Sequence, residues 1–93
     1  MFALSFDMVI SDLKQHYGTP YNGAYWEIKN ILGECGFYWI QGSTYMTQSD
    51  DFSSLFSAID ALRKIDWFRQ SVRDIRGYKV ENWSNLTNLV KNV

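Results

Sequence analysis

Cysteine, histidine and proline each occur once among ninety-three residues. A lone thiol, Cys35, forms no intrachain disulfide, so a disulfide scaffold is excluded, and a cysteine-rich zinc site with it. This fits a reducing cytoplasm. Cys35 itself reads as a small core residue on a helix. His16 is expected in a loop, solvated, with general-base work near neutral pH as the alternative. There is no Ser-His-Asp arrangement, no glycine-rich phosphate loop and no metal-ligand spacing. No apolar run approaches the roughly twenty residues of a membrane span. The first residues lack a basic region and Asp7 interrupts their apolar run, so no signal peptide is expected. The two Asn-x-Ser/Thr matches, at Asn82 and Asn85, are then chance matches. Neither sign of charge dominates: nine basic and ten acidic residues give a net charge of −1. This is not a bulk-charged nucleic-acid binder, and any phosphate contact must come from a local patch.

What the chain does contain is a single domain, 1–93, able to bury a modest core. A hydrophobic share of 46% argues for a folded chain. An aromatic share of 17% exceeds what one small core needs, and self-association is the simplest outlet. The opening segment alternates: Phe2, Leu4 and Phe6 take one face, and Ala3, Ser5 and Asp7 the other. A carboxylate on a rigid strand can bind a metal or move a proton. The plainer alternative is an acid capping the next loop. Position 9 is Val, so Asp7 has no second acid two residues on. One carboxylate is a poor metal site. A twofold dimer through the open sheet face could supply a second Asp7.

Ile10 to Thr19 reads as a polar connection. Thr19 then caps a helix that has Pro20 at its first position and ends near Gly36. Its stripe is Tyr21, Ala24, Tyr25, Ile28, Ile31, Leu32 and Cys35. Phe37 to Gln41 and Ser43 to Thr47 read as a hairpin turning at Gly42. Ser49-Asp50-Asp51 starts a second helix, with Phe52, Leu55, Phe56, Ile59 and Leu62 as its stripe. Val72 to Glu81 reads as a fourth strand with a bulge at Gly77. Ser84 caps a short last helix carrying Leu86, Leu89, Val90 and Val93 on one side. The order β-α-β-β-α-β plus a tail is ferredoxin-like. It is an α+β architecture with two helices on one face of an antiparallel sheet and Ala3, Ser5 and Asp7 on the open face.

Two polar clusters stand out. Gln41-Gly42-Ser43-Thr44-Tyr45 is either turn chemistry or a rim of donors for phosphate or ribose. Arg69, Arg73, Arg76 and Lys79 are the one basic concentration, interleaved with Ser71, Asp74 and Tyr78. They form either a solvated surface, with Asp74 paired to an arginine, or a phosphate-contacting patch with a tyrosine for stacking. Tyr25, Trp26 and Phe56 read as core or interface. Trp39, Trp67 and Trp83 could serve a partner surface.

Phe6-Asp7, Gln41-Gly42-Ser43-Thr44-Tyr45, Asp66-Trp67-Phe68 and Ser71-Val72-Arg73-Asp74-Ile75-Arg76 together resemble the virulence-associated protein D (VapD) family. The last motif is the most specific, and the likeness runs over nearly the whole chain. That family is similar in fold to the small subunit of the CRISPR adaptation complex, a ferredoxin-like domain that dimerises through its sheets. The resemblance implies a bacterial endoribonuclease, often the toxin of a toxin–antitoxin pair, with RNA as substrate and a small antitoxin as partner. It implies Asp7 as the catalytic or metal-binding position. Ser43 and Tyr45 are then expected to position the RNA backbone, Arg73 or Arg76 to stabilise developing charge, and Gln41, Arg69 and Lys79 to bind RNA. Mg2+ shared between two Asp7 carboxylates is one route. Metal-free attack by the ribose 2′-OH is the other. A non-catalytic dimeric binding module of the same fold is the alternative function.

Overall fold

The computed structural model describes residues 1–92. It is an α+β fold built on four strands: β1 (Phe2–Met8), β2 (Tyr38–Gln41), β3 (Thr44–Thr47) and β4 (Val72–Lys79). Five helices accompany them: α1 (Ile10–His16), α2 (Asn22–Glu34), α3 (Ser53–Arg63), α4 (Asp66–Ser71) and α5 (Thr87–Lys91). The strands form one antiparallel sheet in the order β2-β3-β1-β4. β1 is central because its Phe2, Leu4 and Phe6 alternate toward the helices and anchor the core, joined by Met8. Ala24, Ile28 and Leu32, spaced by four, press α2 onto that core, while Leu55, Ala58 and Leu62 do the same for α3.

Several elements differ from the sequence expectation. Ile10 to Thr19 is not a loop through its length, since Ile10–His16 is α1 and His16 lies in its last turn, exposed. Seven residues are too few for an autonomous helix. Leu13, fully buried, docks it, and Tyr17 just beyond it meets Trp67 of α4 edge-on at 4.9 Å. α2 begins at Asn22, so Thr19 does not cap it and Pro20 is not its first residue. Gly36, at φ +84°, turns the chain out of the helix end. On α3 the buried stripe is Leu55, Ala58 and Leu62, while Phe52 and Phe56 stay more than half exposed, because small Ala58 lets the helix approach on its own side. α4 has no counterpart in the sequence reading. It buries only Phe68 and Ser71, too short a pattern to stand out.

β4 ends at Lys79, two residues before Glu81. Its irregularity lies opposite Asp7 and Met8, not at Gly77. Gly77 sits opposite Leu4, and a Cβ there would lie 3.3 Å from both Leu55 methyl groups. The glycine therefore serves close packing. Before α5, the Asn85 side-chain oxygen accepts the Thr87 N–H, and Ser84 is not the cap. Leu86, Leu89 and Val90 are exposed. Val93 lies outside the described residues. On the sheet face away from the core, Tyr38, Met46, Ala3 and Tyr78 form one cross-strand row. Ala3 and Met46 are buried in it, so this end of the face is closed rather than lined by open small residues.

Candidate active site

Antiparallel register places directly opposed residues on the same sheet face. Asp7 on β1 is opposed by Asp74 on β4, and Ser5 by Arg76 on β4 and by Thr44 on β3. The exposed end of the sheet thus gathers two carboxylates, a guanidinium and two hydroxyls. A shallow pocket of about 430 Å³ opens there, lined by Ser5, Asp7, Ser43, Thr44 and Asp74 among others. Asp7 is exposed on it.

The backbone holds this arrangement. The Phe6 N–H donates to the Ser43 carbonyl at 3.2 Å, tying the hairpin to β1 beside Asp7. Gly42 takes φ +52° at the turn, a left-handed conformation that suits glycine. Its carbonyl accepts the Trp39 indole N–H at 2.8 Å, which closes the hairpin on itself. At the other edge the Val9 N–H donates to the Ser71 carbonyl at 2.8 Å and fixes where β4 begins.

Like charges opposed across a ladder repel. Arg76 offsets this in part: its Nε donates to Asp74 Oδ2 at 2.9 Å. Its two terminal nitrogens have no protein partner among the described residues and remain donors for an anion. Behind the hairpin, burial pushes the Tyr25 phenol up, with Tyr21 and the Asp7 charge adding to the effect.

The expected site residues divide. Asp7 and Ser43 share the pocket, and Arg76 stands at its side through Asp74. Arg73 is exposed at the ladder irregularity of β4, without an ion pair among the described residues. Tyr45 faces the other way. It is buried against Phe6, ring centroids 6.2 Å apart, and does not line the Asp7 pocket. Gln41 ends β2 and lines a different groove, against the C-terminal segment. Arg69 is occupied by Asp66 at 2.8 Å and by the Arg63 carbonyl at 2.8 Å. Lys79 is opposed to Phe2, five residues before Asp7 on β1, about 17 Å along the strand. The basic concentration of the sequence is thus not one patch. Cys35 is half-buried at the end of α2, and burial, with Glu34 nearby, pushes its thiol up, away from reactive thiolate.

Asp74 is the residue that sequence reasoning passed over as a mere arginine partner. No second acid follows Asp7 along β1; its neighbour lies across the ladder. Its signal was the period of two in Asp74-Ile75-Arg76, which puts the acid and the arginine on one face.

Among the described residues no group of three or more His, Cys, Asp or Glu could hold a metal ion. Two carboxylates with flanking hydroxyls still fit Mg2+, which takes oxygen ligands, needs only one or two carboxylates and keeps several waters. No helix among the described residues is long and apolar enough to cross a membrane.

Fold and pocket together define a small α+β protein whose sheet face carries an opposed carboxylate pair beside a polar hairpin. Comparison with known proteins gives the class a family. The chain is 53% identical over 91 residues to the endoribonuclease VapD of Dichelobacter nodosus, covering 98% of each chain. It is 57% identical over 84 residues to endoribonuclease VapD 1 of Riemerella anatipestifer, covering 90% of this chain and 94% of that one. It is 46% identical over 93 residues to the endoribonuclease VapD of Helicobacter pylori, covering 98% and 99%. The chain belongs to the VapD family. No family model matches it.

Proposed function

We propose that this protein is an endoribonuclease whose chemistry is centred on Asp7 and Asp74. The observation that carries the proposal is their direct opposition across β1 and β4, beside the Ser43 hairpin and Arg76. The names of the full-length relatives support RNA as substrate. Asp7 is exposed and fixed on a strand, so it can take the proton of a ribose 2′-OH. The freed oxygen attacks the adjacent phosphorus to form a 2′,3′-cyclic phosphate, and the P–O5′ bond breaks as solvent water protonates the departing 5′-oxygen. Arg76 presents its free donors to the charge that develops on the phosphate. Ser43 and Thr44 orient the backbone from the hairpin, and Arg73 contributes positive potential on β4. If Mg2+ is used, Asp7 and Asp74 hold it, and it supplies charge neutralisation at the scissile phosphate.

The ferredoxin-like assignment belongs to the same reading: order β2-β3-β1-β4, with α1 and α4 as short additions to the two covering helices. So does a homodimer through the exposed sheet face, which would bring two carboxylate pairs together. So does a role as the toxin of a cytoplasmic toxin–antitoxin pair, with a small antitoxin protein as partner. Light scattering is expected to return twice the chain mass, and a monomer at working concentration removes the dimer from the scheme. Co-expression with any small open reading frame found beside the gene tests the antitoxin. Growth arrest that this frame does not relieve argues against the pairing.

The deciding experiment is cleavage of single-stranded RNA by wild type, Asp7→Asn and Asp74→Asn, with and without chelator. Each variant is expected to lose roughly 10²–10⁴-fold in rate while keeping its melting temperature within a few degrees. Wild-type rates in both variants would sink the assignment and favour a non-catalytic binding module. Loss with chelator and recovery with Mg2+ selects the metal route.

A further inference from the structure

On the far side of the Gly42 hairpin lies a second cleft, of about 320 Å³, that the proposed chemistry does not use. It is lined by Tyr25, Trp26, Lys29, Trp39, Gly42 and Tyr45. Trp26 and Trp39 are 67% and 51% exposed, a large cost in solvated indole for a chain this size unless something covers them. Lys29 Nζ stands 5.7 Å from the Trp39 ring centroid, so the cleft pairs aromatic faces with a cation. Trp39 is held by its N–H bond to the Gly42 carbonyl rather than left to rotate.

Two observations join this cleft to the Asp7 pocket. Gly42 lines both. Phe6, which borders the pocket, stacks on Tyr45 of the cleft wall, ring centroids 6.2 Å apart. A strand of nucleic acid whose phosphate sits at Asp7 therefore needs only to cross the hairpin to lay a neighbouring base among the indoles.

We propose that the cleft is a nucleobase subsite: Trp26, Trp39 and Tyr25 stack one unpaired base of the RNA, and Lys29 neutralises its flanking phosphate. This rests on the endoribonuclease reading and narrows it to single-stranded substrate, since a paired base cannot enter. Recognition is by stacking and charge, so it tolerates base identity.

The test uses a fluorescein-labelled, single-stranded 2′-O-methyl RNA for binding and unmodified RNA for kinetics. Trp26→Ala and Lys29→Gln, both at exposed positions, are each expected to weaken binding about tenfold and to raise KM more than they lower kcat. Trp39→Phe is expected to keep most of the affinity and Trp39→Leu to lose it, which separates stacking from the hydrogen bond. An abasic nucleotide at the subsite position is expected to weaken wild type more than it weakens Trp26→Ala. Unchanged affinity and KM in Trp26→Ala and Lys29→Gln, with wild type cutting RNA and Asp7→Asn inactive, overturn the subsite alone and leave the cleft to a protein segment. Wild type that neither binds nor cuts RNA overturns the functional reading and the subsite together.

Discussion

Ser71 carries a tension that its neighbours do not relieve. Its hydroxyl is wholly buried without a hydrogen-bond partner, while its backbone carbonyl accepts the Val9 N–H. A buried orphan hydroxyl costs free energy that an apolar methyl does not. Ser71→Ala is therefore expected to hold or raise stability, by up to about 1 kcal/mol, read as a melting temperature unchanged or higher by a few degrees. A clear drop in that temperature means the hydroxyl has a partner that the fold conceals. At the same scale, the sequence made Asp7 legible because alternation in Phe2 to Asp7 tells faces apart without any tertiary knowledge. It did not make Asp74 legible as Asp7's neighbour. Opposition across a ladder depends on register, and register is fixed by the whole sheet. Tyr45 misled for the converse reason: it follows Thr44 by one residue on β3 and so takes the core face, while Ser43 reaches the pocket from the turn before the strand.

Among the elements, those with long apolar periods were readable and the docked fragments were not. α2 and α3 each repeat buried residues over three turns, whereas α1 and α4 bury one and two residues and exist because they pack on each other and on β1. The placement of α3 rests on Gly77. Adding a methyl there pushes on both Leu55 methyl groups at 3.3 Å, with the Ala3 carbonyl next nearest at 3.8 Å. Gly77→Ala is expected to cost about 1–3 kcal/mol in denaturant unfolding. Combining it with Leu55→Ala, itself costing about 2–5 kcal/mol, should cost less than the two singly, because the second change frees the space the first fills. Strict additivity would show that Gly77 matters through its backbone and not through Leu55.

For the whole molecule, the radius of gyration is 14.4 Å, against about 12 Å for a compact chain of this length. The excess fits a C-terminal segment that lies exposed beyond β4 rather than folded into the core. The sequence had assigned that segment a helix needing something to dock on, and α5 has no buried residue. The opposed carboxylates have a consequence for the molecule as a thermodynamic object. The sheet is assembled with Asp7 and Asp74 directly opposed, so whatever binds between them is coupled to folding itself. A divalent cation that binds only the folded pair stabilises it by an amount that grows with the logarithm of its concentration. Melting in the absence of any RNA is expected to rise with Mg2+ in wild type, and Asp74→Asn should ignore its addition. If wild type is equally indifferent, the pair binds no cation. Where wild type does respond, its unfolding curve carries a record of site occupancy that needs no substrate and no turnover.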